Sequence, residues 1–203
     1  MPHLPQKILI ATKNLGKVNE IRDLIQDLPI EFLSLAEFPD APDVVEDGET
    51  FEENALKKAR TLALATGLVT LADDSGLCVE ALNGRPGVLS ARYSGEGSSD
   101  EEKCLRILEE MSEIPDSERY ARFVCVLALA DPGGEEYVFR GVCEGRIIRE
   151  LKGTKGFGYD PIFLYEEEGL TFAEMDRQSK NLVSHRGLAL RKFGVFLEQR
   201  ARP

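Results

Sequence analysis

The first third of the chain alternates short apolar runs with apolar positions at helical spacing. Residues 7 to 12, Lys-Ile-Leu-Ile-Ala-Thr, predict a buried strand. After the polar stretch Lys13-Asn14-Leu15-Gly16-Lys17, the residues Val18, Ile21, Leu24, Ile25 and Leu28 recur as one helical face. Ile30 to Leu35 predicts a second strand, and a Pro- and acid-containing loop then runs to Glu49. Thr50 with Glu53 fits a capping box, opening a helix that turns Phe51, Ala55, Leu56, Ala59, Leu62 and Ala63 inward and ends around Gly67. Val69 to Gly76 predicts the next strand, and Leu77 to Leu82 a further extended run, which places Asp73 and Asp74 at a bend between them. Asn83 to Gly87 reads as a turn and Ser90 to Gly95 as a polar loop. Ser99 with Glu102 caps another helix through about Met111. Arg119 to Ala130 and Tyr137 to Ile148 predict a long hairpin across Asp131-Pro132-Gly133-Gly134, a ribbon suited to extending a sheet or to a dimer surface. Ser184 caps a last helix carrying Leu188, Leu190, Phe193, Val195, Phe196 and Leu197.

Four places along this pattern carry candidate chemistry. Val69-Thr70-Leu71-Ala72-Asp73-Asp74-Ser75-Gly76 reads as a buried strand opening into two carboxylates. In an α/β sheet ligands collect outside strand ends, where paired acids hold a hard cation; Asp-Asp-Ser-Gly is also ordinary turn chemistry. The strand, polar loop and helix around residues 12 to 17 aim backbone N–H groups and two lysines at one place, as phosphate sites do, although neither G-x-x-x-x-G-K-[ST] nor G-x-G-x-x-G is present. The plainer reading is a strand-to-helix connection with solvated lysines. In Gly153 to Pro161 three glycines permit close backbone approach, so Phe157 either stacks on a planar ligand or joins Tyr159 in a core at a tight bend. His185 and Arg186 fall in the first turn of a helix, where the dipole favours anions, so their placement asks for a reason other than stability.

Composition narrows the classes. At 203 residues, 42% apolar and 30% charged, the chain suits one globular domain spanning 1–203, or two small lobes. The net charge of −11 argues against a nucleic-acid binder while leaving room for a small phosphorylated ligand in a locally basic cleft. Cys78, Cys104, Cys125 and Cys143 form no C-x-x-C pair and read as reduced thiols, and with only His3 and His185 a histidine-rich metal centre is excluded. The start, Met-Pro-His-Leu-Pro-Gln, lacks the features of a signal peptide, and no apolar run is long enough to cross a bilayer, so the expected place is the cytoplasm, without membrane association.

Six motifs occur in order: Thr12-Lys13-Asn14 with Lys17; Gly48-Glu49-Thr50-Phe51 with Glu53-Asn54; Ala72-Asp73-Asp74-Ser75-Gly76; Pro86-Gly87 followed by Ser90-Ala91-Arg92; Gly156-Phe157-Gly158-Tyr159-Asp160-Pro161; and Ser184-His185-Arg186. Together they resemble the inosine triphosphate pyrophosphatase family, also called Ham1-like, over Ile8 to about Leu197. The resemblance implies an α/β fold with a central elongated mixed β-sheet flanked by helices, in two lobes with the active-site cleft between them. It further implies a magnesium-dependent hydrolase, usually a homodimer, that converts ITP, dITP and XTP to the monophosphate and pyrophosphate. By position, Asp74 matches the proton acceptor and metal ligand, and Glu46 the second metal ligand. Thr12, Lys13, Asn14, Leu15, Gly16 and Lys17, with Lys58, match the triphosphate site. Ser75, Phe157, Gly158, Tyr159, Asp160, Lys180, His185 and Arg186 match the remaining nucleotide contacts.

The chemistry agrees with that resemblance. Magnesium takes one or two carboxylates plus phosphate oxygens and waters, which suits Asp74 with Glu46. A carboxylate beside it can deprotonate water for in-line attack while Lys13 and Lys17 stabilise departing pyrophosphate. On residue type alone, Asp73 is an alternative base. Donors such as Lys180, His185 or Arg186 would pair with a 6-oxopurine and mismatch the amino group of adenine. Two other readings stand beside this one: a Maf-like pyrophosphatase of modified pyrimidine nucleotides, and a nucleotide sensor that does not hydrolyse.

Overall fold

A computed structural model of the chain describes residues 5–25 and 30–201. Leu28 of the expected first helix lies outside the described residues, as do the side chains of Leu15, Leu24 and Ile25. Strands β1 (Lys7–Ala11), β2 (Glu31–Ser34), β3 (Val69–Val79), β4 (Tyr120–Ala130), β5 (Glu136–Ile147), β6 (Phe163–Tyr165) and β7 (Leu170–Thr171) form a seven-stranded sheet in the order β2-β1-β3-β4-β5-β6-β7. Strand β1 is parallel to β2 and β3, with Ile8 opposite Phe32 and Val69, whereas β5, β6 and β7 pair antiparallel, so the sheet is mixed. Helices are α1 (Leu15–Ile25), α2 (Phe51–Thr66), α3 (Asp100–Glu110), α4 (Arg177–Val183) and α5 (His185–Ala201).

The local signals act as expected at several boundaries. The Thr50 hydroxyl accepts from Glu53 N–H at 3.1 Å and the Glu53 carboxylate returns to the Thr50 N–H, completing the box that starts α2. Ser99 and Glu102 do the same for α3. Gly67, in the left-handed region at φ 69°, closes α2. The ribbon from β4 to β5 turns where Asp131 N–H donates to Glu135 O.

Elsewhere the chain departs from the periodicity. There is no bend at Asp73 and Asp74: β3 runs unbroken through both acids to Val79. Gly87–Arg92, which runs into the start of the polar loop expected from Ser90 to Gly95, is a 3-10 helix whose Ser90 is buried and donates to Gly87 O while accepting from Leu77 N–H. It packs so closely that a Cβ on Gly76 would lie 2.3 Å from Ser90 Oγ, so only glycine fits there. Helix α4 has no strong periodic signal and was not expected; Asp176 caps it by accepting from Ser179 N–H at 2.8 Å. Ser184 closes that helix through its N–H to Lys180 O, and α5 begins at the next residue.

The chain divides into two compact units. The first comprises Met1–Asp74, Cys125–Gly141 and Arg186–Pro203, with a core of Ile8, Ile10, Ile21, Leu71, Leu127, Leu129, Phe139, Leu190, Phe193 and Leu197 among others. After Lys7 strand β1, flanked by β2 and β3, is buried on both faces, which explains its continuous apolar run. The second comprises Ser75–Val124 and Val142–His185, with Leu77, Val79, Ile107, Met111, Phe123, Phe163 and Phe172 in its core. Phe123 and Phe172 stack there at 5.7 Å between ring centroids. All four cysteines are free; three are buried and Cys78 is half-buried. Among the described residues no helix is long and apolar enough to cross a membrane.

Candidate active site

In the first unit the acids and lysines of residues 12–74 gather around β3. Successive side chains of a strand face opposite sides, so the adjacent carboxylates of Asp73 and Asp74 meet different surroundings. Asp73, 2% exposed, accepts from Lys17 Nζ, from Arg186 Nε at 3.1 Å and from the Cys125 thiol at 3.1 Å. Arg186, equally buried, also donates to Glu20, a buried acid of α1. Two acids and two bases thus balance in a desolvated network. Burial alone would raise the Asp73 carboxyl, but Arg186 and Lys17 overrule it and hold it well below the usual carboxylate range.

Asp74 is the opposite case. Burial pushes its carboxyl up to about 6; Lys17 and Lys58 pull it down, and the negative charges of Glu46 and Asp73 add to the rise. A carboxyl poised near neutrality is what a general base requires. Glu46, half-buried in the loop before α2, pairs with Lys58, whose Nζ also donates to the Asp73 carbonyl at 3.0 Å. The carboxylates of Asp74 and Glu46 offer oxygen donors of the kind a hard cation takes, and Lys17 and Lys58 stand beside the acids as cations. Among the described residues no group of three or more His, Cys, Asp or Glu side chains could hold a metal ion by themselves.

The loop after β1 is built by its own side chains. Asn14 accepts from Lys17 N–H at 3.1 Å and its N–H donates to the Thr12 hydroxyl at 3.2 Å, so the polar residues shape the turn into α1. Lys13 is exposed and pairs with Asp43, whereas Lys17 one turn later is turned in towards Asp73. Gly16 is half-buried at the helix start, and the Leu15 side chain lies outside the described residues. A cavity of about 440 Å³ opens beside Thr12 and Lys13, walled by Val18, Ser34, Leu35 and Phe38.

The second unit holds the aromatic and cationic group. Lys180 Nζ donates to Asp160 Oδ2 at 2.6 Å, with both residues buried, and sits 5.0 Å from the centroid of the half-buried Phe157 ring. The same Asp160 oxygen accepts from Phe157 N–H at 2.9 Å. Gly156 makes this possible: its φ is +75°, and a Cβ would fall 2.0 Å from that oxygen. Gly158 N–H donates to Asp100 at 2.6 Å. Tyr159 belongs to the core, its hydroxyl donating to Ser90 O at 2.9 Å. His185 is buried and stacks on Phe123, 4.7 Å between centroids and 10° between planes. Ser75 follows Asp74 directly and is half-buried.

Sequence reasoning missed Glu20 and the part played by Cys125. The available signal for Glu20 was its position three residues after Lys17, on the face of α1 that also carries buried Ile21.

A buried acid pair flanked by lysines, on a mixed α/β sheet, marks the class of α/β proteins with a charged site at the sheet. Residues 8–196 match the Ham1 family, and the chain belongs to it. It is 54% identical over 184 residues to the dITP/XTP pyrophosphatase of Geobacter sulfurreducens, covering 91% of this chain and 92% of that protein. It is 50% identical to the dITP/XTP pyrophosphatase of Desulfotalea psychrophila, covering 90% and 81%. Among solved structures, a HAM1 protein from Coxiella burnetii superposes with a TM-score of 0.88 at 45% identity, covering 95% of this chain and 98% of that one.

Proposed function

We propose that this chain hydrolyses non-standard purine nucleoside triphosphates, dITP, XTP and ITP, to the monophosphate and pyrophosphate, removing them from the nucleotide pool. The observation that carries the chemistry is the contrast within the acid pair: Asp73 is clamped as an anion by three donors, while Asp74 is held near neutrality beside Glu46. The relatives named dITP/XTP pyrophosphatase support the substrate class and disfavour the modified-pyrimidine alternative.

In this reading Asp74 takes the proton of the attacking water, and Glu46 with Asp74 would hold Mg2+. Magnesium, when bound, screens phosphate charge and lowers the cost of placing a polyanion beside two carboxylates. Lys17 and Lys58 exchange their carboxylate partners for phosphate oxygens, and Lys13, Thr12 and the loop N–H groups take the outer phosphates. Phe157 stacks on the base, and Lys180 and His185 supply donors for a 6-oxo group. Arg186 acts behind the acids by fixing Asp73. A homodimer is what the family resemblance implies, and a net charge of −11 leaves no role for nucleic acid.

The test is pyrophosphate release from dITP, XTP, dATP, dGTP and dUTP, with and without Mg2+. Strong magnesium-dependent release from dITP and XTP is expected. Equal use of dATP, or preference for a pyrimidine, would overturn the substrate assignment; binding of dITP without release would favour a sensor.

A further inference from the structure

Asn54, in the first turn of α2, is 1% exposed and is a member of a motif without an assigned role. Its Oδ1 accepts from Gly48 N–H at 2.8 Å, which settles the orientation of the amide, because the other end could not accept that hydrogen. The Nδ2 group is then a buried donor that meets no acceptor among the described residues. A buried amide donor left this way is costly and in a native structure asks for a reason.

Its surroundings supply one. Asn54 stands one turn before Lys58 on the same face of α2, and Lys58 reaches both Glu46 and the Asp73 carbonyl. Gly48, which Asn54 grips, is two residues after Glu46 in the same loop. Asn54 is thus tied to the loop that carries Glu46 and shares a helix face with Lys58, the ion-pair partner of Glu46, while its own Nδ2 is idle.

We propose that Asn54 is the positioning residue for Glu46: its Oδ1 anchors the loop at Gly48, and its Nδ2 donates to the Glu46 carboxylate once a bound cation displaces Lys58 from that carboxylate. This rests on the reading of Glu46 as a metal-holding carboxylate. A ligating carboxylate needs a hydrogen-bond partner that fixes its orientation, and a neutral amide serves without competing for the cation's charge as the ammonium does. The idle donor is thus the cost, in the ligand-free chain, of a contact completed in the loaded one. Asn54 acts through Glu46 and touches neither substrate nor metal.

The test is a double-mutant cycle on Mn2+ affinity, measured by calorimetry or by spin resonance of the free ion, with no nucleotide present. Asn54→Ala is expected to weaken Mn2+ binding by about 10-fold to 100-fold. In a Glu46→Gln background the same substitution is expected to add nothing, because the group it orients no longer ligates. Equal weakening in both backgrounds, which a merely structural role would produce, overturns the proposal, as does undiminished affinity in Asn54→Ala or the lack of any Mn2+ binding by the wild-type protein. Asn54→Ser, whose hydroxyl can still serve Gly48, carries the same comparison if Asn54→Ala does not fold. Pyrophosphate release from dITP by the wild-type protein judges the hydrolase reading separately, since it can fail while the cycle holds, and the reverse.

Discussion

Two adjacent aspartates with the same side chain have opposite acidities here, and the difference comes entirely from their neighbours. Asp74 titrates near 6 against an ordinary 3.8, so the folded protein binds that proton more tightly than the unfolded chain. Without metal, stability is therefore fully present below the ordinary value and declines as pH rises through about 6. Asp74→Asn removes this decline. In metal-free urea unfolding the variant should match wild type near pH ~4 and exceed it near pH ~7 by about 1–3 kcal/mol, while turnover falls by ~100-fold or more. A constant stability difference across that range would reject the environment assigned to Asp74. Asp73 works the other way: its carboxyl is depressed, so its stabilisation is present above the ordinary value and is lost as pH falls below it. Asp73→Asn leaves Arg186 and Lys17 short of their shared counter-charge and should cost about 3–5 kcal/mol near neutral pH, the gap to wild type closing in acid. Chemical denaturation across pH measures both.

Among the elements, α2 combines a legible beginning with a functional face. Thr50→Ala removes one side of its capping box and should lower stability by about 1 kcal/mol. Because the same first turn carries Glu53 and Asn54, and Lys58 follows one turn later, the variant should also lose turnover beyond what its stability loss explains. A rate unchanged at a temperature well below the midpoint would show that the cap serves the helix alone. The extended and helical elements most visible in the sequence were those with their own local signals: β1 with its apolar run, and α2 and α3 with their boxes. Helix α4 escaped because seven residues carry too little periodicity, and its cap Asp176 resembles any turn acid. The supposed bend at Asp73-Asp74 came from reading polarity as exposure; in β3 both carboxylates are buried, that of Asp73 matched by cations from residues 17 and 186 while Lys58 donates to the Asp73 carbonyl.

For the whole molecule, each unit has an apolar core of its own. Chelation of magnesium should therefore stop pyrophosphate release while leaving far-UV circular dichroism unchanged, and saturating Mg2+ should raise the melting temperature only by the linkage of its own binding. Unfolding on chelation would mean that the cation is structural.

By itself the sequence determined the family, the order of the main elements and which residue types supply charge, because caps, apolar periods and six ordered motifs are local properties of the chain. Its acids could equally have been turn residues, and either aspartate could have been the base. The family resemblance pointed to Asp74, and what only the tertiary structure decided is their acidities: these depend on desolvation and on charges from distant segments, and Cys125 and Arg186 reach Asp73, with Glu20 reaching Arg186, only once the chain has folded.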